Sequence, residues 1–148
     1  MAVIKVVVGS VYGNALDVAE MCSQKLTELQ HSVELLRNPQ IDQVVTTETE
    51  VVLICTSTTG QGEIPNNLLP LYDQLKDQLP QMSTVKYGVI ALGDSSYDTF
   101  AEAGYLMDSL MQELHAQKNG DNLVIDACET MAPLEEAEPW LLEWVKGL

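Results

Sequence analysis

The chain has 148 residues, 46% of them hydrophobic, with 22 acidic against 7 basic side chains and a formal net charge of −15. That length and apolar content suit one ordinary domain with its own core, and residues 1–148 are expected to form a single folded unit. The charge excludes a nucleic-acid binder, which needs clustered Lys and Arg against phosphates, and leaves open a basic partner or acidity that serves solubility alone.

Taken in order, Val3 to Gly9 is a β-branched run ending in Gly-Ser, and Ala15, Val18, Cys22, Leu26 and Leu29 then recur at helical spacing. A strand, a loop and an amphipathic helix are predicted. Ser32 to Arg37 holds Val33, Leu35 and Leu36, predicting a second strand closed by Asn38-Pro39; the weakly patterned stretch to Glu50 has undetermined helix content. Val51 to Cys55 is a continuous apolar run, as suits a strand covered on both faces, and it breaks into Thr56-Ser57-Thr58-Thr59-Gly60-Gln61-Gly62. Pro65 suits a first helical turn, and Leu68, Leu69, Tyr72, Leu75 and Leu79 continue that helix to Pro80. Tyr87 to Leu92 predicts a further strand, opening into Gly93-Asp94-Ser95-Ser96-Tyr97-Asp98-Thr99-Phe100. Phe100, Ala103, Met107, Leu110, Met111 and Leu114 mark a long helix, Leu123 to Ile125 a last short strand, and Trp140, Leu141, Trp144 and Val145 a terminal helix. Strands alternating with helices imply parallel strands joined by right-handed crossovers. The expected fold is α/β, a three-layer sandwich whose five-stranded parallel sheet has the order 2-1-3-4-5, with helices on both faces.

Three cysteines, Cys22, Cys55 and Cys128, form no C-x-x-C pair and are odd in number, so no disulfide framework or zinc cluster is indicated and a reducing cytoplasm fits best. Met1 to Lys5 runs into apolar residues without a basic n-region, and no apolar run reaches membrane-spanning length, so neither a targeting signal nor a membrane association is expected. His31 and His115 lack a spaced partner and read as surface residues; Cys55, Met107 and Met111 read as core, and Trp140 and Trp144 as packing for the last helix. Glu135, Glu136 and Glu138 suit a docking patch and a helix's first turn equally.

The chemistry is expected in three loops, each at a strand's carboxyl end, where open α/β sheets bind ligands. In Gly9-Ser10-Val11-Tyr12-Gly13-Asn14-Ala15 hydroxyl and amide side chains lie against a helix amino terminus, whose free N–H groups hold a dianion without lysine. Neither Gly-Lys-Ser nor G-x-G-x-x-G is present, and alone this loop reads more readily as a strand-to-helix turn with a Ser cap. The hydroxyls and glycines of Thr56–Gly62 and the Gly, carboxylate, hydroxyls and ring of Gly93–Tyr97 are the parts that a planar polar heterocycle needs.

Together, Val11-Tyr12-Gly13-Asn14, Thr56 to Gly62, Tyr87 to Tyr97 and Leu123 to Ala127 resemble the short-chain flavodoxins across nearly the whole chain. The Leu-Gly-Asp-Ser-x-Tyr loop is also similar to that of the flavin domains of diflavin reductases. The resemblance implies a noncovalently bound FMN and an electron carrier. It implies that Ser10, Val11, Tyr12, Gly13, Asn14 and Ala15 form the phosphate loop, with Ser57 and Thr58 toward the phosphate and ribityl side. It places Thr59, Gly60, Gln61 and Gly62 along the inner ring edge and Leu92, Gly93, Asp94 and Ser95 at the pyrimidine side. Tyr97 would stack on the outer face, Phe100 and Ala101 would close that loop, and Asp126 is a further candidate. Many flavodoxins have Thr where Tyr12 and Ala15 stand, and an inner-face Trp or Tyr where Thr59 stands. The short run from Leu114 to Leu123 leaves no room for the insertion of long-chain members.

No Ser-His-Asp arrangement, metal-ligand spacing or carboxylate pair appears, so no catalytic or metal-binding residue is assigned. The expected partners are an NAD(P)H-dependent flavodoxin/ferredoxin-type reductase and an acceptor redox protein, with the chain itself a monomer. A phosphoacceptor signalling domain shares the sheet order but needs an acidic pair, an Asp and a Lys where Gly9-Ser10, Thr56-Ser57 and Ala127-Cys128 stand. An FMN-dependent quinone reductase using the same loops remains the alternative.

Overall fold

In the computed structural model, the described residues are 2–10, 13–58, 62–94, 101–127, 130 and 132–148. The apolar runs become four parallel strands, β1 (Val3–Gly9), β2 (Ser32–Leu36), β3 (Val51–Ser57) and β4 (Lys86–Gly93), in the order β2-β1-β3-β4. Between and after them come α1 (Asn14–Glu28), α2 (Ile41–Val44), α3 (Leu69–Gln78), α4 (Glu102–Glu113), β5 (Gln117–Lys118), β6 (Leu123–Asp126) and α5 (Pro133–Trp144). A 3-10 turn (Val145–Gly147) follows α5.

Side-chain alternation divides the core between the two faces of the sheet. Val7, Val52, Ile54, Tyr87, Val89 and Ala91 face Leu71, Leu75, Met107 and Leu110 of α3 and α4. Ile4, Val6, Val8, Leu53, Cys55 and Ile90 face Val18, Cys22, Leu26 and Leu141 of α1 and α5. Cys22 and Cys55 are fully buried, and a hydrogen bond with Cys22 together with burial pushes the Cys55 thiol well up, which makes it an inert core thiol. Among the described residues no helix is long and apolar enough to cross a membrane.

Three expectations change. The fifth strand is two segments: Lys86 and Tyr87 pair with Gln117 and Lys118, whereas Ile90 to Gly93 pair with Leu123 to Asp126. Between them Gly120 is left-handed (φ 76°), Asn119 donates to the Trp144 carbonyl at 2.9 Å and Asn122 to the Asp108 carboxylate at 3.1 Å. Two exposed polar residues carry no strand pattern, so β5 is invisible in the sequence. Helix α3 begins at Leu69 rather than Pro65, whose carbonyl instead closes a turn by accepting the N–H groups of Leu68 and Leu69, both at 2.9 Å. Pro70 favours this, because it lacks an N–H and fits a first turn at no cost in hydrogen bonds. Helix α4 begins at Glu102, behind a left-handed Ala101 (φ 64°), and the undetermined stretch before β3 holds only the short α2, closed by a Gln40–Gln43 capping box.

His31 Nδ1 accepts the Ala2 N–H at 3.0 Å, and burial, with the chain's amino-terminal charge, keeps its pKa below the ordinary value. Asp108, 8% exposed, accepts hydrogen bonds from Tyr87 at 2.5 Å, Gln112 at 3.2 Å, Lys118 at 3.0 Å and Asn122 at 3.1 Å. Burial alone would raise its carboxyl, but these four donors outweigh it and hold the pKa below the usual value. A depressed carboxylate contributes stability that is present above its unfolded pKa and is lost as pH falls through the folded one. Asp108→Asn is therefore expected to lower stability at pH 7 by about 1–2 kcal/mol and to flatten the loss below pH of about 4. Urea melts of both proteins across that range check it.

Candidate functional site

Register brings the predicted loops together. Gly9 pairs with Thr56, Ser57 with Leu92 and Gly93 with Asp126, so the carboxyl ends of β1, β3, β4 and β6 finish side by side. The strand order reverses between β1 and β3, the switch point at which open α/β sheets bind ligands.

The loop after β1 is built on close approach. A Cβ on Gly9 would overlap Thr56 Oγ1 and lie 2.8 Å from Leu68 Cδ2, so only glycine lets the strand end this near its neighbours. Ser10 Oγ accepts the Gly13 N–H at 2.8 Å, which leaves the hydroxyl proton to donate. Gly13, left-handed at φ 91°, is the N-cap of α1 and makes no side-chain cap bond. The first N–H bonded within the helix is that of Asp17, to the Gly13 carbonyl at 2.9 Å, so those of Asn14, Ala15 and Leu16 lack an intrahelical acceptor. The Ala15 side chain is buried in the core, so its backbone alone is available. This donor set suits a dianionic phosphate.

After β3, the Ser57 hydroxyl donates to the Gly9 carbonyl at 3.3 Å, and Thr58 Oγ1 accepts the Ala103 N–H at 3.1 Å. Thr58 thus caps α4, which has no cap of its own, and ties this loop to the helix that follows β4. Gly62 is buried and left-handed at φ 83°. After β4, Leu92 and Ala101 are buried in the core, and the Gly93 carbonyl accepts the Ala127 N–H at 2.8 Å. Asp94 follows, and Asp126, 9% exposed, closes β6. Val11, Tyr12, Thr59, Gly60, Gln61, Ser95, Tyr97 and Phe100 lie outside the described residues.

Charge is distributed along the strand axis. Of the 7 basic residues, Lys5, Lys25, Lys76, Lys86 and Lys146 sit in the amino halves of strands or at helix carboxyl ends, and Lys118 pairs with Tyr87 near the start of β4, all away from the loops. Arg37 alone stands at the site's end, paired with Glu20 at 3.1 Å. Asp17, Glu63, Asp94, Glu102, Asp126, Glu135 and Glu136 occupy strand ends, loops and first helical turns on the site side.

Comparison with known proteins agrees with this geometry. The family model described as Flavodoxin matches residues 6–140. The chain belongs to the flavodoxin family. Flavodoxin YqcA of Escherichia coli K12 is 42% identical over 144 residues, covering 97% of each chain. Protein MioC of the same strain is 35% identical over 148 residues, covering 100% of this chain and 99% of MioC. A cysteine-to-serine mutant of flavodoxin from Pseudomonas aeruginosa superposes with a TM-score of 0.93 at 40% identity, over 99% of this chain and 98% of that one.

One residue of this flavodoxin's site is absent from the sequence reading. Asn67, in the turn before α3, accepts the Ser10 N–H and donates to the Val8 and Arg37 carbonyls. Its only sequence signal is an Asn pair behind Pro65, which reads as ordinary turn composition.

Proposed function

We propose that this chain binds FMN noncovalently and serves as a cytoplasmic electron carrier, taking electrons from an NAD(P)H-dependent flavodoxin/ferredoxin-type reductase and passing them to an acceptor redox protein. The observation that carries the reading is the alignment of the β1, β3 and β4 strand ends beside the β1–β3 switch point, with the amino terminus of α1, which has no side-chain cap bond among the described residues, following β1 there. Bound FMN would supply one- and two-electron chemistry. The chain need only hold it and leave an edge open. Ser10, Gly13 and the first-turn N–H groups of α1 suit its phosphate, Ser57 and Thr58 its ribityl chain, and the strand end at Gly93 and Asp94 its pyrimidine edge.

The purified protein should show flavin absorbance, and the cofactor released by denaturation should be FMN, equimolar with protein. Recovering FAD, or no flavin after reconstitution, overturns the reading. Sustained quinone reduction by NAD(P)H without added reductase would move it to an FMN-dependent quinone reductase.

The charge distribution supports a basic docking face on the reductase, since six lysines sit at the far end of the strands. Reduction by such a reductase is expected to slow as salt rises toward physiological strength, where screening acts within about 8 Å. Stopped-flow rates across a salt series check this, and a flat series counts against it.

A further inference from the structure

The ladder between β1 and β2 ends at the pair Val7 and Leu36, and the two strands part beyond it. Asn67 enters that opening from the turn before α3. Its Nδ2 donates to the carbonyls of Val8 and Arg37, both at 2.8 Å, and its Oδ1 accepts the Ser10 N–H at 3.0 Å. The amide orientation is set by chemistry, because two carbonyl oxygens at that distance require the NH2 group. Both amide protons are used, and the side chain continues the strand ladder where the backbone no longer does.

The backbone at Asn67 is itself held. Leu68 is fully buried and packs so closely that its Cβ would lie 3.1 Å from a Cβ on Gly9. From this anchor the bonds run in one direction: Asn67 holds the Ser10 peptide, Ser10 Oγ accepts the Gly13 N–H at 2.8 Å, and Gly13 caps α1. At the β3 end this chain of bonds meets Ser57, on the phosphate and ribityl side, whose hydroxyl donates to the Gly9 carbonyl of the same peptide at 3.3 Å. We infer that Asn67 is a positioning residue for the phosphate end of the site: it aims the Ser10 loop and the amino terminus of α1 at the phosphate while leaving the ring side untouched. The inference rests on the FMN reading above.

Riboflavin, which lacks the phosphate, separates positioning from a merely structural role. Affinities of FMN and riboflavin are measured by fluorescence titration of the wild-type apoprotein and of Asn67→Ala, with Asn67→Ser as the milder variant if Asn67→Ala does not fold. FMN affinity is expected to fall about 10- to 100-fold, as the loss of two or three hydrogen bonds implies, with riboflavin affinity unchanged. Equal losses for both ligands, or unchanged FMN affinity, overturn the role of Asn67. Wild-type protein that binds neither ligand overturns the FMN reading itself, an outcome visible before any variant is compared.

Discussion

Gly88→Ala is expected to lower the stability of the fold by about 3–5 kcal/mol, the range for losing the burial of a tryptophan. Gly88 lies in β4 and faces the layer of α1 and α5, where Trp144 is 4% exposed. An alanine Cβ there would overlap the indole Nε1 and lie 2.7 Å from Cε2 and 3.0 Å from Cζ2. The ring has no easy retreat. It stacks on Trp140 with centroids 5.6 Å apart, Trp140 Nε1 donates to the Asp121 carbonyl at 3.0 Å, and the Trp144 carbonyl accepts from Asn119 at 2.9 Å. Among the described residues the Trp144 indole Nε1 finds no hydrogen-bond partner, as its buried seat against the Gly88 peptide leaves it. Either the ring leaves the core or α5 shifts on the sheet, and both forfeit the same packing. At roughly 2–4 °C per kcal/mol, the midpoint should drop by about 6–20 °C. Both of the protein's 2 tryptophans lie in α5, so their fluorescence follows the change directly. Gly88→Ala combined with Trp144→Phe should recover part of the loss, because the smaller ring vacates the space. A Gly88→Ala melt within about 2 °C of wild type would show that the indole is not wedged as described.

Gly9→Ala is expected to weaken FMN binding by about 100-fold or more, equivalent to roughly 2.8 kcal/mol, and to lower stability by about 1–3 kcal/mol through overpacking. The added methyl meets Thr56 and Leu68, both fully buried, so neither yields without moving the strand end that carries it. Pushing Thr56 moves Ser57, and pushing Leu68 moves Asn67; Gly9 is therefore one position through which two walls of the site shift together. FMN titration and thermal melts of the variant check both parts. A variant that melts lower but binds FMN as tightly as wild type would separate the strand packing from the site.

Four strands and three loops were legible because each depends on neighbours in sequence. Val3–Gly9, Val51–Ser57 and Lys86–Gly93 are mostly apolar, as strands buried on both faces must be, and each runs into a Gly- or hydroxyl-rich turn. Helix starts were less legible, since Pro65 and Pro70 both suit a first turn; α3 starts at Pro70's turn, and the Pro65 carbonyl closes a separate turn before it. The resemblance carried the assignment of loops to phosphate and ring, which composition by itself left open.

The sequence by itself thus determined the alternation of strands and helices and the position of the loops at the strands' carboxyl ends, because period, turn residues and crossover handedness are local or nearly universal constraints. Only the tertiary structure decided the rest. Asn67 meets Val8 across 59 residues, Trp144 sits on Gly88, and the buried Asp108 draws Tyr87, Lys118 and Asn122 into one cluster beside the split fifth strand. Each of these joins groups that no periodicity relates: a single Asn, Gly or Asp carries no pattern, and its role exists only once the sheet has brought a distant carbonyl, ring or amine within reach.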